Sequence, residues 1–217
     1  MIKFALQHKL LVLFLALSIT AIGSSFCCGV ENNPVAILIV QIAVGYVINF
    51  IFYITLSFLP EKRKMDVAAI IIGKRISRIV ADMRAFPDAM IKQFPSDNQG
   101  RAEQVKNATC KFKSDLVLEY AGICLHRSGE ETKWTAGDFF YTKAKRVEEN
   151  IDFILKYYSY GVKPELDEIF DKILHTGVHT ALAMMHESNK KFSNDSDEFV
   201  KYDELADELK RIQRSYE

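Results

Sequence analysis

Polar and apolar residues are divided along this chain in two different ways. Residues 10–30 and 35–59 form two apolar runs, neither containing Lys, Arg, Asp or Glu, and only Glu31, Asn32, Asn33 and Pro34 separate them. Each run has at least the ~20 residues that a helix needs to cross the hydrocarbon core of a bilayer. A helix in lipid satisfies its backbone groups internally, and so short a polar turn returns the second helix alongside the first. The pattern therefore predicts a transmembrane hairpin over residues 1–60, with spans at 10–30 and 35–59.

Beyond Pro60 the apolar positions fall at helical spacing instead. Val67, Ile70, Ile71, Ile76, Ile79, Val80 and Met83 mark a helix that Phe86-Pro87 should interrupt and Phe94-Pro95 should end. Further helices are expected over 99–125 (Val105, Phe112, Leu116, Val117, Tyr120 and Cys124 buried), 136–158 and 164–188. Pro164 suits the first turn of the third of these. A last, thinly apolar helix over 198–215 carries Phe199, Tyr202, Leu205, Leu209 and Ile212. Segment 127–131 reads as a loop, and 189–197 as polar and mobile. Sustained period-two alternation is lacking, so the fold class is all-α: an N-terminal hairpin of two transmembrane helices followed by a helical bundle over 61–217.

Charge adds orientation. Lys3, His8 and Lys9 precede the first span, Lys62, Arg63 and Lys64 follow the second, and the turn carries only Glu31. Positive flanks stay cytoplasmic, which places both termini and the bundle in the cytoplasm and implies a membrane protein with two spans. A competing reading makes the first run a signal peptide; the second run would then remain as an anchor. Over the whole chain 28 basic residues balance 28 acidic ones, so net charge offers no signal for direct nucleic-acid binding. Lys62, Arg63, Lys64, Lys74, Arg75 and Arg78 form a basic juxtamembrane cluster suited to anionic head groups, or simply a solvated face. The segment after Asn194 is acidic. Of the four cysteines, Cys110 and Cys124 are expected as buried apolar residues, while Cys27 and Cys28 lie near the outer end of the first span. No spacing among the four resembles a zinc site.

Candidate chemistry is sparse. Asp171, His175, His179 and His186 fall within roughly 80° of one another on an unbroken helix. Such a face could hold a metal ion, respond to pH, or be merely solvated. The HExxH arrangement, phosphate loops and GxSxG are all missing. No cofactor, no metal ligand set and no catalytic residue is assigned, and the chain is not expected to be an enzyme; a metal-dependent membrane enzyme using the histidines is the remotest alternative. Trp134, Phe139, Phe140 and Tyr141 form either an aromatic recognition surface or a loop anchor.

The spans carry a subtler pattern. Gln41, Gly45 and Asn49 recur every four residues along one stripe of the second, and Ala21, Ser25 and Gly29 do so on the first. Small residues allow close helix approach, and an amide in lipid seeks a partner on another helix. Gln41, Gly45 and Asn49 are thus a candidate membrane-assembly face, unless they pack within the hairpin.

A two-helix hairpin joined to a small helical domain, with no catalytic motif, resembles the two-transmembrane effectors of bacterial anti-phage systems, of retron or abortive-infection type. The resemblance is one of layout, and no motif in 61–217 carries it. It implies a protein held silent by a regulatory protein or ribonucleoprotein, which self-associates and damages the inner membrane when infection is sensed. The same layout fits a membrane-anchored adaptor or sensor whose helical domain binds a protein.

Overall fold

A computed structural model describes residues 9–28, 34–96, 100–113, 115–125, 131–179 and 196–216. It is mostly helical, and by internal contacts the chain divides into two compact units, Met1–Asp66 and Val67–Glu217.

In the first unit, α1 (Lys9–Cys28) and α2 (Pro34–Tyr53) are each 20 residues long. They pair along a seam of half-buried side chains: Leu11, Val12, Leu15, Ser18, Ile22 and Ser25 on α1 against Ala36, Val40, Ala43, Val47 and Phe50 on α2. The Tyr46 hydroxyl donates to the Leu11 carbonyl at 3.0 Å, and its ring lies 6.0 Å from that of Phe14. Ser18 and Ser25 return their hydroxyls to carbonyls one turn back, at 2.8 Å each. Polar side chains are thereby satisfied inside their own helix. The backbone then widens into a π-helical turn over Ile54–Phe58, where the Leu59 N–H bonds the Ile54 carbonyl. Pro60 has no N–H to offer the Leu56 carbonyl and its ring crowds that oxygen, so a wider turn lets the helix pass the proline. Helical backbone is unbroken from Pro34 to Gln93. That helix contains a window long and apolar enough to cross a membrane, with only 6% of the window buried.

The second unit begins within α3 (Leu59–Gln93) and continues with α4 (Arg101–Thr109), strands β1 (Ile123–Leu125) and β2 (Glu131–Lys133), and α5 (Ala136–Tyr158). A 3-10 turn at Ser159–Gly161, α6 (Pro164–Leu174) and α7 (Ser196–Gln213) complete it. Helices α3 and α5 run antiparallel: Lys143 pairs with Asp82 at 2.9 Å, Arg75 donates to Asn150 at 2.6 Å, and Gly161 meets Ala68 and Ile72. A Cβ on Gly161 would stand 3.1 Å from the Ala68 Cβ and the Ile72 Cδ1, so any larger residue would require these neighbours to give by a few tenths of an ångström. At the centre, Phe86, Phe112, Phe140 and Phe199 pack ring on ring with centroids 5.0–6.4 Å apart. Ile72, Ile76, Ile79, Met83 and Met90 from α3, Ile151 and Ile154 from α5 and Ile169 and Phe170 from α6 extend this core.

Several expectations need correction. Helix α3 does not break at Phe86-Pro87; it runs through to Gln93 with Pro87 inside it and buried. A helix-interior proline costs about 3 kcal/mol, and burial of Phe86, Ala89 and Met90 around it offsets that cost. The expected helix over 99–125 ends at Thr109. After it the chain turns, and Ile123–Leu125 forms an antiparallel hairpin with Glu131–Lys133, extended by a bridge between Val117 and Thr135. The β-branched and aromatic content of 116–123 favours extended backbone, and Gly122 takes a positive φ of 81° that side chains resist. Gln93 holds this segment, donating to the Val117 carbonyl at 2.8 Å and accepting from the Glu119 N–H at 3.0 Å. Glu131 belongs to β2 rather than to a loop; 126–130 lie outside the described residues, as do 189–195. Cys110 is exposed, not buried, because α4 ends at that point. The side chains of Cys27, Cys28 and Cys124 are outside the described set.

Helix α5 occupies the expected range. Thr135 caps it, its hydroxyl oxygen accepting from the Asp138 N–H at 3.1 Å. Pro164 opens α6 as expected. Trp134 packs edge-on against Phe139 at 5.6 Å, and Phe139 and Phe140 are buried. The aromatic cluster thus anchors the end of the hairpin onto the core.

Candidate functional site

The stripe singled out on α2 lies away from the seam. A helix turns about 100° per residue, and Gln41 and Asn49 project more than a right angle from Ala43, the one residue of α2 that is buried. Gln41 and Asn49 are exposed and Gly45 between them is half-buried, with no atom near the place a Cβ would take. Packing within the helical pair therefore does not consume these positions. Of the small residues on α1, Ser18, Ala21 and Ser25 are half-buried, as are the larger Leu11, Val12, Leu15 and Ile22; Gly29 is outside the described residues.

Of the basic cluster, Lys62, Arg63 and Lys64 are exposed in the first unit, and Lys74 and Arg78 are exposed on α3 in the second. Arg75 behaves differently. Its guanidinium sits 3.9 Å over the Phe153 ring and donates to Asn150, holding α3 to α5.

The histidine face dissolves. Helix α6 stops at Leu174, and His175 is its C-terminal residue with φ −95° and ψ 8°. Thr176 and Gly177 are poor helix formers. The Thr176 hydroxyl bonds back to the Ile173 carbonyl at 2.8 Å, and Glu198 of α7 accepts from the Gly177 N–H at 2.8 Å. Lys201 and that N–H together hold the Glu198 carboxyl below its usual range. This break rotates the two histidines apart. His175 is exposed beside Asp171, at 3.2 Å. His179 is 6% exposed and bonded on both nitrogens, Nδ1 to Glu148 at 3.0 Å and Nε2 to the Tyr202 hydroxyl at 3.2 Å. His186 is outside the described residues. Among the described residues no group of three or more His, Cys, Asp and Glu side chains is arranged to hold a metal ion.

His179 thus belongs to a structural network. Burial pushes its pKa down, against the pull of Glu148. Tyr202, fully buried, keeps its proton well above the ordinary phenol range, through burial first and then the charges of Glu148 and Asp82. The consistent arrangement has neutral His179 donating from Nδ1 to Glu148 and accepting at Nε2 from Tyr202. Beside Tyr202 is a cavity of about 10 Å³, bordered by Phe86, Pro87, Phe140, Phe199 and the Lys143–Asp82 pair. That volume is about one water molecule, too small for a substrate.

A second network was not legible as a motif. Asp203, 5% exposed, accepts from Arg101 at 2.6 and 2.7 Å, and Arg101 also reaches Asp88 at 2.9 Å. Arg84 bonds Asp207 and lies 4.0 Å from Asp203. Asp203 locks α7 to α3 and α4. Its sequence signal was an acid beside the apolar stripe of Phe199, Tyr202 and Ala206.

The cavity beside the first network holds no more than about one water molecule, and the outward stripe of α2 is taken as the candidate functional site. No family model matches the chain, and no match is found among curated proteins or among solved structures.

Proposed function

We propose that this chain is a membrane-embedded effector of a bacterial anti-phage system, which self-associates through α2 and perturbs the inner membrane when infection is sensed. In this reading α1 and α2 span the membrane as a hairpin, both termini and the second unit are cytoplasmic, and a regulatory protein or ribonucleoprotein holds the effector silent. The carrying observation is the outward placement of Gln41 and Asn49, opposite a seam that buries only small and apolar side chains. In hydrocarbon each primary amide lacks water, so a second copy of α2, or water drawn into an assembly, is what completes its hydrogen bonds. The layout supports the effector class; the amides support self-association.

The test is membrane potential in bacteria expressing the full chain with its neighbouring genes, followed by a voltage-sensitive dye during phage infection. The expected result is depolarisation by the intact chain and its loss in Gln41→Leu/Asn49→Leu. Replacing residues 1–60 with an unrelated two-span anchor separates the alternatives: retained protection identifies an adaptor whose hairpin only tethers it, and overturns the effector reading.

A further inference from the structure

The seam between α3 and α5, which lies wholly within the second unit, carries charge that its packing does not use. Along α5, Lys143, Arg146, Asn150, Phe153 and Tyr157 recur at steps of three and four residues and so share one edge of the helix. Asp82, Arg78 and Arg75 do the same on α3. The two edges face each other, because Lys143 pairs with Asp82 at 2.9 Å and Arg75 donates to Asn150 at 2.6 Å. Arg78 and Arg146 fall between those two contacts, at the same level on opposite banks of the seam. Both are exposed, and among the described residues no carboxylate pairs with either. Arg75 is held one turn farther along, its guanidinium 3.9 Å over Phe153, and Asn150 is fixed in turn by its 2.7 Å bond to the Arg146 carbonyl. Tyr157 continues the row, its ring 5.0 Å from that of Phe153 and 55% of its surface open. Asp82, the carboxylate on these edges, is taken by Lys143, and Glu149 is exposed about 60° farther round α5 than Arg146.

We infer that this seam is a binding groove for single-stranded nucleic acid, with a backbone phosphate between Arg78 and Arg146 and bases stacked on the Arg75 guanidinium and the Tyr157 ring. The inference concerns the second unit alone and is independent of the membrane reading above. Helices in contact have axes roughly 8–10 Å apart, a gap that two arginine side chains close over one phosphate. Without an anion the two guanidiniums repel each other, whereas a phosphodiester brings acceptor oxygens to both. Guanidinium planes and aromatic rings are the platforms on which unpaired bases stack, and Arg75 and Tyr157 follow the arginine pair along the same seam. From Lys143 to Tyr157 the groove runs about 21 Å at 1.5 Å per residue, which suits about four nucleotides, the low end for such sites. An acidic peptide would match the charges but leave the exposed ring and the stacked guanidinium unused, and a duplex would keep its bases away from them. Net charge did not reveal the groove because the offsetting acids lie elsewhere, as with exposed Glu204 and Glu208 on α7.

The experiment follows the fluorescence anisotropy of a fluorescein-labelled oligothymidylate of about 12 nucleotides, titrated with the full chain in neutral detergent over about 50–200 mM salt. Circular dichroism verifies that each variant folds. The intact chain is expected to bind, with an affinity that falls as salt rises. Arg78→Gln/Arg146→Gln is expected to weaken binding about tenfold and to flatten the salt slope by about 0.7 or more, the value for one phosphate contact on a single strand. Tyr157→Leu is expected to weaken binding about tenfold with the slope unchanged. Lys133→Gln/Arg211→Gln, which removes the same charge from exposed positions elsewhere, is expected to leave affinity and slope in place. Absence of binding by the intact chain, or equal weakening in that charge-matched control, overturns the groove. Weakening by the arginine pair with Tyr157→Leu unaffected describes a site for anions in general, and overturns the assignment to nucleic acid.

Discussion

The two units bury opposite things. In the first, large apolar side chains point outward: Leu13, Leu17, Ile19, Ile42 and Ile51 are all more than half exposed, and among the described residues only Ala43 is buried. In the second, Phe86, Phe170, Phe199, Met83 and Met90 are withdrawn and the charges stay outside or pair. Leaving a Leu- or Ile-sized side chain in water forgoes about 1.5–3 kcal/mol of burial, so an apolar exterior is stable only where the surroundings are themselves apolar. The same residue types therefore serve as outer surface in one unit and as core in the other.

The contrast predicts where substitutions hurt. The largest effect is expected from Phe86→Ala at the centre of the aromatic cluster, a loss of about 3–5 kcal/mol, measured as a lowered chemical-denaturation midpoint of the second unit. Helicity of the first unit should be unaffected, and coupled melting of the two would break the comparison.

A smaller effect is expected from pH. Burial lowers the pKa of His179 below its ordinary 6.5. Between the lowered value and 6.5 the unfolded chain takes up the proton and the folded chain does not, so stability falls as pH drops through that range. Carboxylates held low by partners, such as Glu198, withdraw their contribution only at more acid pH, below their ordinary 4.5. His179→Gln should flatten the pH dependence of the denaturation midpoint near 6 while leaving the acid limb below 4.5. An unchanged slope near 6 would assign it to other groups.

The smallest effect is expected on the exterior of the first unit. Leu13→Ala and Ile42→Ala should change the thermal stability of the detergent-solubilised chain by less than about 0.5 kcal/mol, as for surface positions generally. A loss near that of Phe86→Ala would mean that these side chains are buried against something, and would erase the contrast between the units.

Much of this organisation is legible in the residues. The two apolar runs, the helix over 136–158, the Pro164 start and the stripe of α7 all follow from periodicity and local chemistry, which act within a few residues. The candidate stripe on α2 was legible as a four-residue repeat, but its outward direction was not, because direction depends on which face the partner helix takes. Local rules misread Pro87, where burial of Phe86 and Met90 outweighs the missing hydrogen bond. They misread 110–125 as well, where pairing with Glu131–Lys133 competes with a helical pattern. At His175-Thr176 the helix that spacing alone would continue is interrupted, and Glu198 from across the fold accepts from the Gly177 N–H where helical backbone resumes.

By itself, then, the sequence determined composition-driven properties: that the fold is mostly helical, which segments are most apolar, and where a proline starts an element. Tertiary structure alone decided that His175 faces solvent while His179 is locked between Glu148 and Tyr202, that Asp203 is buried between two arginines, and that Gln41 and Asn49 face outward. The physical reason is range. Propensity and hydropathy are properties of neighbouring residues, whereas burial, tautomer and ion pairing depend on what residues distant in the chain bring to the same place.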